Sequence, residues 1–445
     1  MSRYRRPGSR SRVLVIVQNL PVPFDRRVWL ECQSLLRAGY DVTVVCPRGQ
    51  GTGPEQVVEG VRILAYQPYA PGGRAVGFFV EYAYSFLATA RLALKARRQG
   101  AFDVVQACNP PDIFWPLAWA LRVRDGSRFV FDHHDLCPEL FESRFPNGPS
   151  VFHRGLLLLE RATFRTADRV TSTNESYAAI ARSRGGKAPE HVTVVRTGPD
   201  PQRLKRQAPA PELRRGRAHL VAYIGVMGPQ DGVDIVVQAA DLIVNTWGRD
   251  DISFVLMGGG DCWGDLVAER DRLGLQDHVD LPGRVPDEFV TEVFSTADVG
   301  LSPDPLNALN DVSTMNKTME YMAFAMPVVA FDLKETRVSA QDAAVYVEPG
   351  DVEAYARAIV ELVDDPAARE EMGRRGRERV EQQLAWEHQS VGYVAVFDEL
   401  TGRPRRAART TRGVASTSTP AAPPSPAAAG APAEPATPPL ARTEA

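Results

Sequence analysis

A chain of 445 residues, 44% hydrophobic and 24% charged, has the make-up of a globular protein of two or three domains, which excludes collagen-like, coiled-coil and wholly disordered architectures. Five cysteines without CxxC or Cys/His spacing read as free thiols of a reducing compartment, against a disulfide scaffold or structural zinc. The formal charge of −3 gives no reason to expect nucleic acid. It does conceal basic ends: residues 1–12 and 403–413 hold five arginines each and no acid, around a body (13–402) of 41 basic and 53 acidic side chains.

The basic N-terminus, 1–12, reads as flexible, and both ends suit either anionic lipid or simple solvation. With no leader-like cleavage pattern and no run near the roughly 20 apolar residues of a spanning helix, a cytoplasmic location is expected. Arg12–Val17 (RVLVIV) then reads as a buried parallel strand, 27–39 as a helix and 41–45 as the next strand. Residues 78–95 form a helix with Phe79, Tyr82 and Phe86 at i, i+3 and i+7, a stripe that suits either a core face or a helix lying at a membrane surface on the cell's inner face. Further strands are read at 104–105, 128–131, 170–173 and 192–195. A polar, basic stretch around 199–217 marks a linker.

A second alternating series follows: strands at 220–224, 253–257, 279–281, 299–301 and 327–331, with helices at 233–244, 264–273, 287–295 and 316–324. Such alternation implies α/β architecture with parallel sheets covered on both faces. The expected organisation is therefore two doubly wound Rossmann-like domains, 13–200 and 218–385, joined by the 201–217 linker and followed by a helix within 386–402. Residues 403–445 are expected to be disordered, since 414–445 alone contain 11 Ala and 8 Pro. Ligands of such sheets sit at the carboxyl ends of the strands, so a central cleft is the place to look.

Several loops carry chemistry. In STMNKTMEYMAFAMPVVA (313–330), Ser313 or Thr314 is expected to cap a helix whose first amides, at Asn316, Lys317 and Thr318, suit a phosphate. Lys317 adds a full charge there, and Glu320, a turn deeper, suits a ribose diol. A capped core helix with an exposed Glu320 is the competing reading. Gly258 and Gly259 of MGGG, Gly225 and Gly228 of GVMGPQDG, and Arg284 and Val285 after the 279–281 strand are strand-end positions where backbone can approach a ligand. On the first domain, DHHDLCPE (132–139) ends a strand. His133 and His134 must point apart on extended chain, which argues against a shared metal and for a polar loop with one imidazole in the cleft. Asp135 and Glu139 of that loop, with Asn19, Asp25, Arg26 and Arg27 after the first strand, make up the expected acceptor side. For each arginine an anionic ligand and a self-paired helix start remain open.

Taken together, the chain resembles glycosyltransferase family 4, of the GT-B fold, over about residues 13–400. The most specific likeness lies in NKTMEYMAFAMPVV (316–329) and HDLCPE (134–139), with FDRRV (24–28), MGGG (257–260) and LPGRVP (281–286) in support. The resemblance implies a nucleotide-sugar donor, UDP being the commonest. Glu320 would stand as the second Glu of an E-x7-E motif, His134 as the contact to the transferring sugar, and 283–285 as the loop that holds the base. It implies retention of anomeric configuration, with no metal or other cofactor. The pattern is similar to a subgroup associated with capsule, exopolysaccharide or lipopolysaccharide assembly, hence a lipid-linked or glycan acceptor. Three positions depart from the pattern: Val312 replaces the first Glu, and Val226 and Asp231 replace the usual Arg and Lys of the donor diphosphate. Lys317, Arg284, Arg26 and Arg27 are the candidates to replace them. The same departures allow a catalytically silent GT-B subunit of an assembly complex.

Overall fold

The computed structural model describes residues 10–49, 51–69, 75–145 and 148–404, without the side chains of 75–79. The basic N-terminus up to Ser9, the start of the aromatic stripe at Phe79, and residues 405–445 lie outside what is described.

The first domain runs β1 (Arg12–Ile16), α1 (Arg26–Arg37), β2 (Asp41–Pro47), β3 (Glu55–Val58), β4 (Val61–Tyr66), α2 (Ala75–Arg97), β5 (Val104–Cys108), α3 (Trp115–Asp125), β6 (Arg128–His133), α4 (Cys137–Arg144), α5 (Ser150–Thr166), β7 (Arg169–Ser172), α6 (Glu175–Ser183) and β8 (Val192–Val194). The second runs β9 (His219–Ile224), α7 (Val233–Asp241), β10 (Ile252–Met257), α8 (Trp263–Arg272), β11 (Val279–Gly283), α9 (Asp287–Thr296), β12 (Val299–Ser302), α10 (Asn316–Ala323), β13 (Val328–Phe331), α11 (Lys334–Ala340), β14 (Ala344–Val347), α12 (Val352–Asp364) and α13 (Pro366–Arg379). A last helix, α14, spans Trp386–Thr401.

The sheets are ordered β3-β4-β2-β1-β5-β6-β7-β8 and β11-β10-β9-β12-β13-β14, parallel throughout except for the β3–β4 pair. Why β1 sits at the centre follows from its sequence. Alternate side chains leave opposite faces of a strand. Val13 and Val15 join the layer under α1 and α14, whereas Leu14 and Ile16 join the layer under α2 and α3. A strand apolar on both faces is stable only where helices cover both, each fully buried aliphatic contributing about 1.5–3 kcal/mol.

Three differences from the sequence reading matter. Helix 233–244 ends at Asp241, after which Leu242–Thr246 form a π-helical turn. The linker is not free chain: Arg377 donates to the Pro201 and Leu204 carbonyls, and Gln207 N–H to Ser295 Oγ. The final helix returns to the first domain, where Trp386 Nε1 donates to Ser34 Oγ (2.9 Å) and Tyr40 Oη to Asp398 Oδ1 (2.7 Å). On α2, Phe86 stacks on Phe114 and Tyr82 is half-buried, so that face is core. A different face, Val80, Tyr84, Leu87 and Leu94, is exposed. No helix among the described residues is long and apolar enough to cross a membrane.

Candidate active site

The end of β6 sorts its side chains as a strand must. His133 goes into the core among Phe131, Phe164 and Tyr177, at ring separations of 5.5, 5.0 and 5.3 Å. Burial pushes its pKa down to about 3, so it is a neutral packing residue. His134 takes the other side, with Nδ1 2.7 Å from Asp132 Oδ2 and no partner for Nε2 among the described residues. Burial lowers its pKa, but the charge and hydrogen bond of Asp132 outweigh it and hold the imidazole above its ordinary value. Asn109 clamps the loop: its Oδ1 accepts from the His134 and Asp135 amides at 2.9 and 3.0 Å, and its amide donates to the Asp135 carbonyl.

Asp132 is the hub beneath His134. Fully buried, it accepts two hydrogen bonds from Arg27 (2.7 and 3.1 Å) and one from Thr171 (2.9 Å). Arg27 also donates to the Val195 carbonyl and Thr197 Oγ1, and lies 3.2 Å from Glu31. Burial raises the Asp132 carboxyl, and Arg27 and His134 together more than reverse this, leaving it well below the carboxylate range. Glu31 goes the other way: burial and the charge of Asp132 exceed the pull of Arg27 and push it up to about 8. Gln106 donates to Glu31 (2.7 Å), and Tyr393 of α14 donates to Gln106 (2.7 Å), so the chain of contacts begins on the last helix. Among the described residues the one trio close enough to hold a metal is Glu31, Cys108 and Asp132. Its acids already flank the Arg27 guanidinium, so these residues do not fit a cation.

The expected acceptor-side residues therefore divide. Arg27 is a correction: at 6% exposure it serves the buried network and does not face an anionic ligand. Asp25 is the N-cap of α1, accepting from the Val28 amide (3.0 Å). Glu139 is held by Arg184, which also binds Glu160. Asp135 turns back on its own loop to accept from the Leu136 amide. Asn19 is exposed at the end of β1. Arg26 alone crosses to the second domain, with Nη1 3.2 Å from Glu320 and Nη2 2.6 Å from Asp287.

On that second side α10 begins at Asn316 with Met315 as N-cap and no side-chain cap bond. Ser313 and Thr314, expected to cap it, instead join the domains: Tyr177 Oη lies 2.9 Å from Ser313 Oγ, and Asn174 donates to Thr314 Oγ1 (3.0 Å) and the Val312 carbonyl (2.9 Å). Asn316 is exposed, while the Thr318 amide returns to the Met315 carbonyl and its side chain is buried. Lys317 is bound by Asp304 at 2.6 Å and lies over the Tyr223 ring. Glu320 is only partly exposed; burial raises its pKa and Arg26 opposes the rise.

The strand-end loops close this side. Gly258 adopts φ +139°, and a Cβ there would stand 1.8 Å from the Gly225 carbonyl, so only glycine allows the two loops to touch. Gly228 donates to Asp231 Oδ2 (3.0 Å), and Gly259 lies under the Arg284 side chain. Arg284 is exposed without an ion pair among the described residues, and Val285 is half-buried on the sheet's core. Of the three departures from the family pattern, Val226 is exposed. Val312 packs with Leu136, Tyr177 and Leu309 at the joint between domains. Asp231 is pushed up to about 6 by burial, with Lys317 pulling against it. Sequence reasoning missed Asp132, Asn109, Asp304, Asp287 and Arg144. The last is an exposed cation on α4 whose charge reaches both Asp135 and Asp231.

Two facing Rossmann-like domains, with a histidine loop on one and a Lys–Glu helix start on the other, define a nucleotide-sugar transferase architecture. Residues 25–203 match the model described as Glycosyltransferase Family 4, and residues 218–365 that described as Glycosyl transferases group 1. The chain belongs to the family 4 glycosyltransferases of the GT-B fold. It is 26% identical over 265 residues to 2-deoxystreptamine glucosyltransferase of Streptomyces kanamyceticus, covering 57% of this chain and 66% of that one, just under two thirds of the relative's length. It is 25% identical over 380 residues to D-inositol 3-phosphate glycosyltransferase of Kineococcus radiotolerans, covering 78% and 84%. Its fold is similar to sucrose-phosphate synthase from Thermosynechococcus elongatus (TM-score 0.73, 18% identity, 88% and 100% covered). It is also similar to Anabaena HepE in complex with UDP-glucose (TM-score 0.63, 15% identity, 88% and 98% covered).

Proposed function

We propose that this protein is a retaining glycosyltransferase that moves a sugar from a UDP-sugar to a lipid-linked or polysaccharide acceptor during assembly of a cell-surface glycan. One observation carries the reading. At the start of α1, Arg26 reaches Glu320 while Arg27 fixes Asp132 beneath His134. The carboxylate suited to a ribose diol and the imidazole suited to the transferred sugar thus share one cleft. HepE's UDP-glucose complex favours UDP as the nucleotide.

On this reading the acceptor hydroxyl attacks the anomeric carbon from the face that the diphosphate leaves. The new C–O bond forms as the bond to phosphate breaks, and the hydroxyl proton passes to the departing phosphate oxygen. The amides at the start of α10, together with Arg284 and Arg144, are the groups that would stabilise that charge, since Lys317 is shared with Asp304. The exposed apolar face of α2, with Arg91 and Lys95 beside it, favours peripheral contact with an anionic membrane. Vesicle sedimentation of the full chain tests that contact, and Leu87→Glu is expected to reduce it.

The decisive experiment is a thermal-shift panel of UDP, GDP, ADP and CDP on wild type and Glu320→Ala, followed by UDP release from UDP-sugars. A ligand that binds only the folded state raises the melting point. Stabilisation by UDP that Glu320→Ala abolishes supports the assignment. No shift with any nucleotide at millimolar concentration overturns it. It favours instead a catalytically silent assembly subunit, the reading that Val226, Asp231 and Val312 motivate.

A further inference from the structure

At the carboxyl end of the first sheet, the ends of β1, β2 and β4 and the first half of α2 line a partly open cavity of about 120 Å³. By volume it would hold several waters and not just one. Gln18, Asn19, Glu81 and Ser85 give it a polar wall, and Tyr66 and Tyr69 an aromatic one. Gln18 donates to Glu81 Oε1 at 2.9 Å, so an amide and a carboxylate stand side by side. Tyr66 is 7% exposed, and its hydroxyl has no hydrogen-bond partner among the described residues. A buried hydroxyl left unpaired costs about 1–3 kcal/mol, which a polar occupant pairing with Tyr66 would recover.

We infer that this cavity is a second sugar subsite, taking a neutral pyranose ring of the acceptor beyond the ring that carries the attacking hydroxyl. The inference rests on the transferase reading above. The amide–carboxylate pair suits neighbouring hydroxyls, which both donate and accept, and a tyrosine face suits the C–H face of a pyranose. Position sets the unit. The cavity lies at the end of β1, and His134 follows β6, with β5 between them. Its near wall is two strand spacings from β6, about 10 Å, and its far wall on β4 four spacings, about 19 Å, a span that linked rings bridge and a single ring does not. The acceptor would then be read as a disaccharide or longer.

Saturation-transfer NMR with a panel of methyl disaccharides tests the site on the full chain, independently of turnover. Wild type is expected to bind at least one of them, and Glu81→Gln and Tyr66→Phe to bind it about tenfold more weakly. The UDP-induced thermal shift is expected to stay as in wild type, which shows that the variants are folded. In UDP release, KM for that disaccharide should rise by a similar factor while KM for the matching monosaccharide glycoside stays put. No saturation transfer from any disaccharide, or equal binding by wild type and variants, overturns the subsite even where UDP release persists. Disaccharide binding without nucleotide binding would count against the transferase reading and leave the subsite standing.

Discussion

Replacing Asp132 with Asn tests the buried network directly. Asp132 is fully buried and accepts two bonds from Arg27, one from Thr171 and one from His134. Removing its charge leaves the Arg27 guanidinium beside Glu31, which at the same time loses the Asp132 charge that helps to raise it. Breaking a buried pair from one side costs about 3–5 kcal/mol. At about 2–4 °C per kcal/mol for a domain of this size, the melting point should fall by about 6–20 °C. Thr171→Val removes one bond and leaves the ion pair, so its cost should be about 1–2 kcal/mol. Asp132→Asn also lowers the His134 pKa, since burial pulls it down and Asp132 is what raises it. The linkage sign follows: a raised imidazole pKa contributes stability that is fully present below the unfolded value of about 6.5 and is lost as pH rises through the folded one. Asp132→Asn removes that contribution, so its deficit against wild type should be larger at pH 5.5 than at pH 9. The assays are thermal melts across pH and an NMR titration of His134. A melting point within about 2 °C of wild type, with His134 titrating unchanged, would refute the reasoning.

Three further outcomes are expected. Glu31 sits at about 8, above its unfolded value of about 4.5, so its effect on stability falls as pH rises through that window; the melting-point difference between Glu31→Gln and wild type should move in the variant's favour from pH 5 to pH 9, and a difference independent of pH would contradict this. Asp231, at about 6, becomes an anion beside the nucleotide loops above that pH, so UDP should bind more tightly at pH 5.5 than at 7.5 by calorimetry, and Asp231→Asn should flatten the dependence. Arg284→Ala and Arg144→Ala should each raise the donor KM by about tenfold with melting points unchanged, because each would lose a charge-assisted contact to phosphate and both are exposed, with no ion pair among the described residues; a donor KM as in wild type removes that arginine from the site.

The central strands of both sheets were legible because they are short apolar runs between amphipathic segments, a pattern set by burial on both faces, whereas β3, β4 and β14, at or next to a sheet edge, were not read. The capping expectation at Ser313 and Thr314 failed for a tertiary reason: Tyr177 and Asn174 of the other domain claim those hydroxyls, and spacing along one chain cannot announce a partner more than 130 residues away. Arg27 misled in the same way. A charged residue at a helix start is usually solvated, and only the convergence of β6, β8 and α1 reveals an interior carboxylate to pair with it. Asp132 and Asn109 left faint signals, a polar residue at the end of each of two adjacent apolar strands. That position in an open parallel sheet is itself a reason to suspect a role.

Arg26 and Arg27 are successive residues of α1, and successive residues of a helix point about 100° apart. Arg27 consequently enters the first domain and sets the charge under His134, while Arg26 leaves it and meets Glu320 and Asp287 of the second. A ribose diol bound to Glu320 and the Arg26 guanidinium would compete for the same oxygens. Since Arg26 is half-exposed, the pair it must leave is worth only about 0–1 kcal/mol, a small opposition to a nucleotide. The arginine so released already reaches across between the domains, as Arg196 does to Glu335. A half-exposed arginine beside a buried one lets a single helix start hold the imidazole fixed on one domain while its neighbour pairs with the other domain at little cost.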